Sequence, residues 1–410
     1  MSQNKTIGLL SIPVLVAALG YFVDIYDLLL FGMVRVSSLE SLGLKDDAAV
    51  KTGLEIMSVQ MYGLLIGGIF WGVLGDKKGR LSVLFGSILL YSLANIANGM
   101  VHTVQQYEIC RFIAGIGLAG ELGAGITLVS ELISKEKRGI ATSLVAGIGL
   151  TGAVVAYFIS QAFDWRVCFY IGGGLGLALL AMRVSVFESG MYAHVQQNKE
   201  VRKGDFWMFF TRRKRFGKYI LAILIGLPTW YVIGLLIQVS DKFGKEFGIA
   251  EKVQPGKAVM FAYIAISIAD ILIGLISHWL KSRKKALYIF YAITILGIVL
   301  YFQQHNGTAA NMYLICALMG FGTGFWALFV TMAAEHFGTN LRATAATTVP
   351  NMVRGSLPII ILLFGRLQSD LHYSFITAGA ITGAIVMTIS TIAVFLTEET
   401  FGKDLNFIEE

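Results

Sequence analysis

The sequence predicts an all-α membrane protein, and two observations support this fold class. Of its 410 residues, 56% are hydrophobic and only 14% are charged, whereas about a quarter of an ordinary soluble domain is charged. Apolar runs of about 20 residues recur along the chain, and each is long enough to cross a hydrocarbon core of about 30 Å as a helix. No separate soluble domain remains between these runs.

The apolar runs fall into two sets of six. The run beginning near residue 8 is longer than a signal-peptide core and lacks a cleavage site, so we expect it to be retained as the first span. The polar segment 188–217 is interpreted as a cytoplasmic linker between an N-terminal bundle, 1–187, and a C-terminal bundle with a short tail, 218–410. The predicted spans are 8–34, 53–74, 81–102, 107–133, 140–162, 166–187, 218–240, 257–280, 286–303, 310–335, 343–366 and 373–396.

The distribution of basic residues predicts that both termini are cytoplasmic. Most of the 33 Lys and Arg residues fall in segments on the same side as the N-terminus, and basic segments near span ends stay inside. We attribute the net charge of +7 and the run TRRKR to this topology and to anionic lipid rather than to nucleic acid. We expect a multi-pass protein of a bacterial inner membrane, for which a monomer suffices.

A short basic loop follows the second predicted span and reads GVLGDKKGRLSVLFG. Gly72 allows another helix to approach and Gly79 permits a sharp turn, while Asp76 can cap a helix N-terminus or pair with a cation. With Arg80, these residues match G-x-x-x-D-x-x-G-R, the signature of the major facilitator superfamily, which the chain therefore resembles. The resemblance implies the major facilitator fold, with 12 transmembrane helices in two pseudo-symmetric six-helix halves.

The second half repeats part of the first. Glu131 precedes Arg138 by seven residues, and Glu335 precedes Arg342 by the same number. Carriers that work by alternating access are built from such repeats, with the substrate site at the midplane between them. The resemblance implies a cytoplasmic gate that breaks when the halves rock. Its predicted members are Gly72, Asp76, Gly79, Arg80, Glu131, Arg138, Glu335 and Arg342.

Three further segments narrow the resemblance within the family. RFIAGIGLAGELGAG is similar to the fourth span of metabolite and sugar symporters, and TEETFGKDLN is similar to the tail that follows the last span of sugar porters. The acid pair in DIYD is closer to the D-G-F-D of aromatic-acid symporters and the E-W-Y-D of metabolite symporters. The glutamine-rich seventh span of sugar porters is missing, so organic acids are favoured over sugars as substrates.

Patterns for nucleotide, metal or catalytic chemistry are weak. GIGLAG fits G-x-G-x-x-G but lies inside an apolar run, where small residues allow helices to touch. No Gly-Lys pair is followed by Ser or Thr, as a Walker A loop requires. The three cysteines lack metal-ligand spacing. We expect no cofactor, no metal and no enzymatic activity.

Charged residues within predicted spans are the main candidates for function. Each costs on the order of 3 kcal/mol near the bilayer centre, so it persists mainly where it faces a cavity or a partner. Asp24 and Asp27 lie three residues apart and share a helix face, where two close carboxylates favour protonation of one. The resemblance implies that Asp27 faces Arg111 and releases it on protonation; a static ion pair is the alternative. Asp24 either takes part in coupling or substrate binding or lies at a watery cavity mouth.

Other polar residues extend the predicted site. Glu121 follows Arg111 by ten residues and is predicted to act in coupling or substrate binding, or in a hydrogen bond between helices. If Asp270 pairs with Arg354, that arginine is structural; otherwise Arg354 is the best anchor for an anionic substrate. Further candidates for lining the cavity are Gln60, Tyr62, Trp230, Tyr231, Trp326 and Asn351.

These residues favour a proton-coupled secondary transporter that imports a small organic anion such as a carboxylate. An uncoupled facilitator or exporter is the first alternative, with amino acids, siderophore-like polycarboxylates or sugars as substrates. It would show no uphill uptake in an inward proton gradient. A ligand-sensing protein built on a carrier fold is the second alternative, and it would bind a ligand without flux.

Overall fold

The computed structural model describes residues 11–78, 80–121, 138–188, 206–338 and 341–403. Within these ranges every regular element is helical, as predicted. The helices are α1 Ile12–Ser41, α2 Asp46–Lys78, α3 Arg80–Asn98, α4 Val104–Leu118, α5 Arg138–Ala162, α6 Trp165–Glu188, α7 Met208–Thr211, α8 Arg213–Trp230, a π-helix Tyr231–Ile237, α9 Ser240–Glu246, α10 Pro255–Trp279, α11 Arg283–Phe302, α12 Ala309–Thr323, α13 Trp326–Glu335, α14 Arg342–Arg354, α15 Leu357–Ser369 and α16 Phe375–Leu396.

Ten helical segments of the described ranges are long and apolar enough to cross a membrane. A shorter apolar stretch, Val83–Asn98, corresponds to the third predicted span. The fourth predicted span is described only as far as residue 121. The membrane-spanning helical architecture is therefore confirmed, whereas the number of twelve spans remains a prediction.

Three of the spanning segments are interrupted near their middle. Pro228 precedes the change from α8 to the π-helix, and proline disturbs a regular helix because it lacks the N–H of a regular turn. Gly324 separates α12 from α13, and Gly355 separates α14 from α15. Non-helical backbone at membrane depth is tolerated where it is buried in protein or lines a cavity. The breaks thus indicate where the interior of the bundle is least regular.

Helix α1 lies at the centre of the bundle. Most of its side chains are buried, and it packs chiefly against α5 and α6. A Cβ on Gly152 of α5 would collide with the carbonyl oxygen of Phe22, so the two backbones touch. Polar side chains on α1 therefore face protein rather than lipid. We call the end of the bundle where α1 begins the near side and the end where it finishes the far side.

Candidate functional site

A fully buried ion pair joins α1 to α4. Arg111 Nη1 lies 3.3 Å from Asp27 Oδ1, and neither side chain is accessible to solvent. Arg111 Nη1 is also 3.4 Å from Asn95 Oδ1, and the guanidinium lies 5.2 Å from the ring centroid of Phe169. The structure places Asp27 and Arg111 together, as the family resemblance implies. Their role in proton coupling stays a prediction.

A second buried ion pair links α1 to the end of α14. Arg354 Nη2 lies 3.5 Å from Asp24 Oδ2, which is too long for a strong charge-assisted hydrogen bond. Neither oxygen of Asp24 has a hydrogen-bond partner, nor do Nε and Nη1 of Arg354. Asp24 and Arg354 thus neutralise each other but leave most of their hydrogen-bonding groups unused.

Asp270 has a different partner from the one considered in the sequence. Its Oδ1 accepts a hydrogen bond of 2.8 Å from the backbone N–H of Ala327, in the first turn of α13. A carboxylate is stabilised at a helix N-terminus by the free N–H groups and the helix dipole. The sequence analysis considered a pair between Asp270 and Arg354. In the structure Arg354 pairs with Asp24 instead.

A third buried ion pair involves Glu121 and an arginine that the sequence analysis did not single out. Arg183 Nη1 donates to Glu121 Oε2 at 3.0 Å, and Nη2 also contacts Oε1. A Cβ on Gly20 of α1 would collide with both side chains. Glu121, just after the end of α4, is therefore linked to α6. This contact corresponds to the alternative in which Glu121 holds two helices together, here through an ion pair. The signal available in the sequence was an arginine inside the sixth predicted span.

The amide candidates differ in how they are used. Asn351 is buried, and its Nδ2 donates to the carbonyl oxygen of Ala119 at 3.0 Å, across 232 positions of sequence. Its Oδ1 has no hydrogen-bond partner, and neither does Nε2 of buried Gln60. Asn351 fastens α14 to the end of α4, while Gln60 keeps an unused donor inside the bundle.

The aromatic candidates occupy four different surroundings. Tyr62 is 47% exposed, on the same face of α2 as the exposed side chain of Phe70, and its place in a cavity stays a prediction. The hydroxyl of Tyr231 donates to Gly379 O at 2.8 Å and is therefore engaged within the C-terminal helices. Trp230 is buried with no partner for its Nε1. Trp326 lies at the start of α13 with its ring centroid 5.3 Å from that of Phe329.

The predicted cytoplasmic gate is described only in part. Gly72 faces Thr348, where a Cβ would be 3.8 Å from the threonine methyl group. Glu335 accepts hydrogen bonds from Arg283 at 3.0 Å and from Thr400 at 2.7 Å, so it anchors the C-terminal tail. Gly79 and Glu131 lie outside the described residues, as do the side chains of Asp76, Arg80, Arg138 and Arg342.

Ion pairs on the far side join α1 and α2 to α9. Arg35 Nη2 lies 2.5 Å from Asp241 Oδ1, and Lys242 Nζ lies 2.7 Å from Asp47 Oδ1 and 2.9 Å from Glu246 Oε1. We call these five residues the far-side latch. The sequence analysis missed it because Arg35 falls one residue beyond the first predicted span and the partners are about 200 positions apart.

Loosening the latch is expected to expose the far side of the bundle. Asp241→Asn removes the carboxylate from buried Arg35, so we expect thiol labelling of a cysteine placed at Met33, which lies against Gly256, to accelerate several-fold.

The hydrogen bond from Lys242 holds the pKa of Asp47 below its usual range. That contact therefore contributes above about pH 4 and weakens only as pH falls through the lowered pKa, so labelling should be constant between about pH 5.5 and pH 7.5.

The control for this experiment is Asp370→Asn, which alters an exposed carboxylate that pairs with Arg366 one turn earlier and accepts a hydrogen bond from Ser369. Its labelling rate should equal that of the parent Met33→Cys protein. Equal rates in Asp241→Asn and Asp370→Asn would mean that the Arg35–Asp241 contact does not hold the far side together.

Comparison with known proteins identifies the family. Residues 14–361 match the sequence profile of the Major Facilitator Superfamily. The chain belongs to this superfamily. It is accordingly a membrane transporter and not an enzyme, and the three buried ion pairs lie within a transporter fold.

Several transporters of bacteria are similar to this superfamily member over most of their length. The niacin transporter NiaP of Acinetobacter baylyi is 27% identical over 86% of this chain and 87% of its own. The gentisate transporter of Corynebacterium glutamicum is 25% identical over 84% of this chain and 79% of its own. The cis,cis-muconate transport protein of Acinetobacter baylyi is 26% identical over 90% and 91%.

Proposed function

We propose that the protein is a proton-coupled transporter that imports a small organic anion, most suitably an aromatic or unsaturated carboxylate. One observation carries this proposal: α1 holds two buried carboxylates on one face, and each is paired with a different arginine. The niacin, gentisate and muconate named for its relatives are all carboxylic acids. This similarity supports the choice of substrate class.

Arg354 is the group best suited to bind the substrate carboxylate. It is buried, it keeps Nε and Nη1 without partners, and a guanidinium binds a carboxylate through two parallel hydrogen bonds. Asp24 occupies the position of its counter-ion at 3.5 Å. In our proposal the substrate carboxylate replaces Asp24 beside Arg354, and Asp27 takes up the proton that balances the added negative charge.

Charge balance favours coupling to a proton. Three of the buried arginines, Arg111, Arg183 and Arg354, are each matched by one carboxylate. An entering anion without a proton would leave one negative charge uncompensated in a poorly solvated interior, which is costly. Protonation of Asp27 removes that cost.

Alternating access would use the two ends of the bundle in turn. We propose that twelve spans in two six-helix halves rock around α1, with both termini cytoplasmic in a bacterial inner membrane. In that orientation the far-side latch closes the outer entrance. Substrate and proton would favour opening of the latch only if they bind the state with the open latch more tightly than the state with the closed latch.

The proposal is tested by proton flux in proteoliposomes loaded with a pH-sensitive dye. Purified protein is challenged with pools of carboxylates, amino acids or sugars, and we expect only the carboxylate pool to acidify the lumen. Equilibration of a labelled carboxylate without acidification would instead identify an uncoupled facilitator. Saturable binding without flux would identify a sensor.

A further inference from the structure

A basic corner lies on the near side, where the linker meets the C-terminal helices. It comprises residues 206–219, with Glu398 of the tail beside it. Lys218 Nζ lies 3.6 Å from Glu398 Oε2. Lys218, Lys403 and Lys214 together hold the pKa of Glu398 below its usual range. Glu398 is thus shared by several cations, and residues 206–219 carry five basic and no acidic side chains.

Arg215 is the unusual member of this corner. It is only 5% exposed, its Nη2 donates to Thr211 Oγ1 at 2.9 Å, and its Nε and Nη1 have no partner. No described carboxylate pairs with it. A buried guanidinium without a counter-charge is unfavourable, so the site is suited to receive an anion.

The surface around Arg215 combines cations with large aromatic side chains. Arg212, Arg213 and Lys214 are exposed, and so are Trp207, Phe210 and Phe216 at 66%, 46% and 40%. On the inner face, the ring of Phe209 stacks on Tyr219 at 4.5 Å and meets Phe337 at 4.9 Å. Aromatic rings beside Lys and Arg are characteristic of the level of the lipid headgroups.

We propose that this corner binds the phosphate of an anionic phospholipid, with Arg215 as the main phosphate ligand. Exposed Arg212 and Arg213 steer the headgroup, and Phe210 and Phe216 contact the upper acyl chain. Because Nε and Nη1 of Arg215 are buried, binding is accompanied by movement of α7, which carries the Thr211 that contacts Arg215. The lipid then supplies the missing counter-charge and fastens the linker to α8. This site is independent of the transport function proposed above.

The test is native mass spectrometry of the full-length protein in detergent, titrated with phosphatidylglycerol or phosphatidylcholine. We expect preferential binding of phosphatidylglycerol, weakened about tenfold in Arg215→Gln, since a charge-assisted contact to phosphate is lost. Arg212→Gln/Arg213→Gln changes exposed residues only and is expected to weaken binding about threefold. Arg366→Gln, an exposed arginine on the far side, should bind like the wild type.

Several outcomes would overturn the proposal. Equal binding of both lipids, or equal affinity in all four proteins, would mean that the corner has no phosphate site. If inorganic phosphate alone displaced the lipid and raised the melting temperature of the protein as much as phosphatidylglycerol does, the corner would bind a free anion and not a lipid. If Arg215→Gln fails to fold, the double variant Arg212→Gln/Arg213→Gln still tests whether the corner binds phosphatidylglycerol, because its substitutions are at the surface.

Discussion

Asn in place of Asp27 is expected to abolish uphill uptake while leaving downhill exchange of the substrate. An inward pH gradient of one unit can drive about tenfold accumulation when one proton accompanies each monocarboxylate. Asn cannot release a proton, so Arg111 stays in the state that follows protonation of Asp27. The accumulation ratio of the variant in proteoliposomes should therefore fall to about one, measured with a labelled carboxylate.

The split between accumulation and exchange separates coupling from a static structural role. Loss of the Asp27 carboxylate leaves Arg111 with Asn95 and the Phe169 ring, so some loss of stability is expected. If Asp27 were only structural, Asp27→Asn would lower exchange and accumulation in proportion. Asp370→Asn, an exposed carboxylate, should accumulate substrate like the wild type. Tenfold accumulation by Asp27→Asn would place the coupling proton elsewhere.

The fold was largely predictable because lipid imposes a simple rule on the sequence. Every span needs about 20 apolar residues with its backbone bonds satisfied internally, and such runs are visible without knowing how they pack. The breaks were harder to foresee. Pro228 indicates an irregularity, but it does not indicate the seven-residue π-helix that follows, which shifts the faces of later residues.

The candidate site was predictable where a motif fixes the partner and uncertain where only depth in the membrane was known. The family resemblance placed Asp27 beside Arg111. Nothing comparable specifies which acid reaches Arg354, because the choice between Asp24 and Asp270 depends on how α1, α10 and α14 rotate about their axes. Arg183 was passed over for a related reason: it is near a span end, where arginine ordinarily reaches toward water.

Arg354→Gln is expected to abolish the preference for a carboxylate over the corresponding carboxamide. The guanidinium is proposed to give two charge-assisted hydrogen bonds to the acid, worth about 1.5–3 kcal/mol for one such contact, or roughly a 10-fold to 150-fold change in affinity. The amide gains little from the same group. Competition for transport by an aromatic acid and its amide measures this ratio, and we expect it to approach one in the variant.

The ratio of acid to amide remains informative even though Arg354→Gln also disturbs a buried pair. Removing one partner of a buried ion pair costs about 3–5 kcal/mol, because Asp24 is left without its counter-charge. Asp24→Asn/Arg354→Gln removes both charges and should recover much of the lost melting temperature without recovering the preference for the acid. Arg354→Lys keeps the charge but not the planar fork, so it should retain an intermediate preference. If the double variant regained full selectivity for the acid, the carboxylate would bind elsewhere, and Arg354 would serve only to neutralise Asp24.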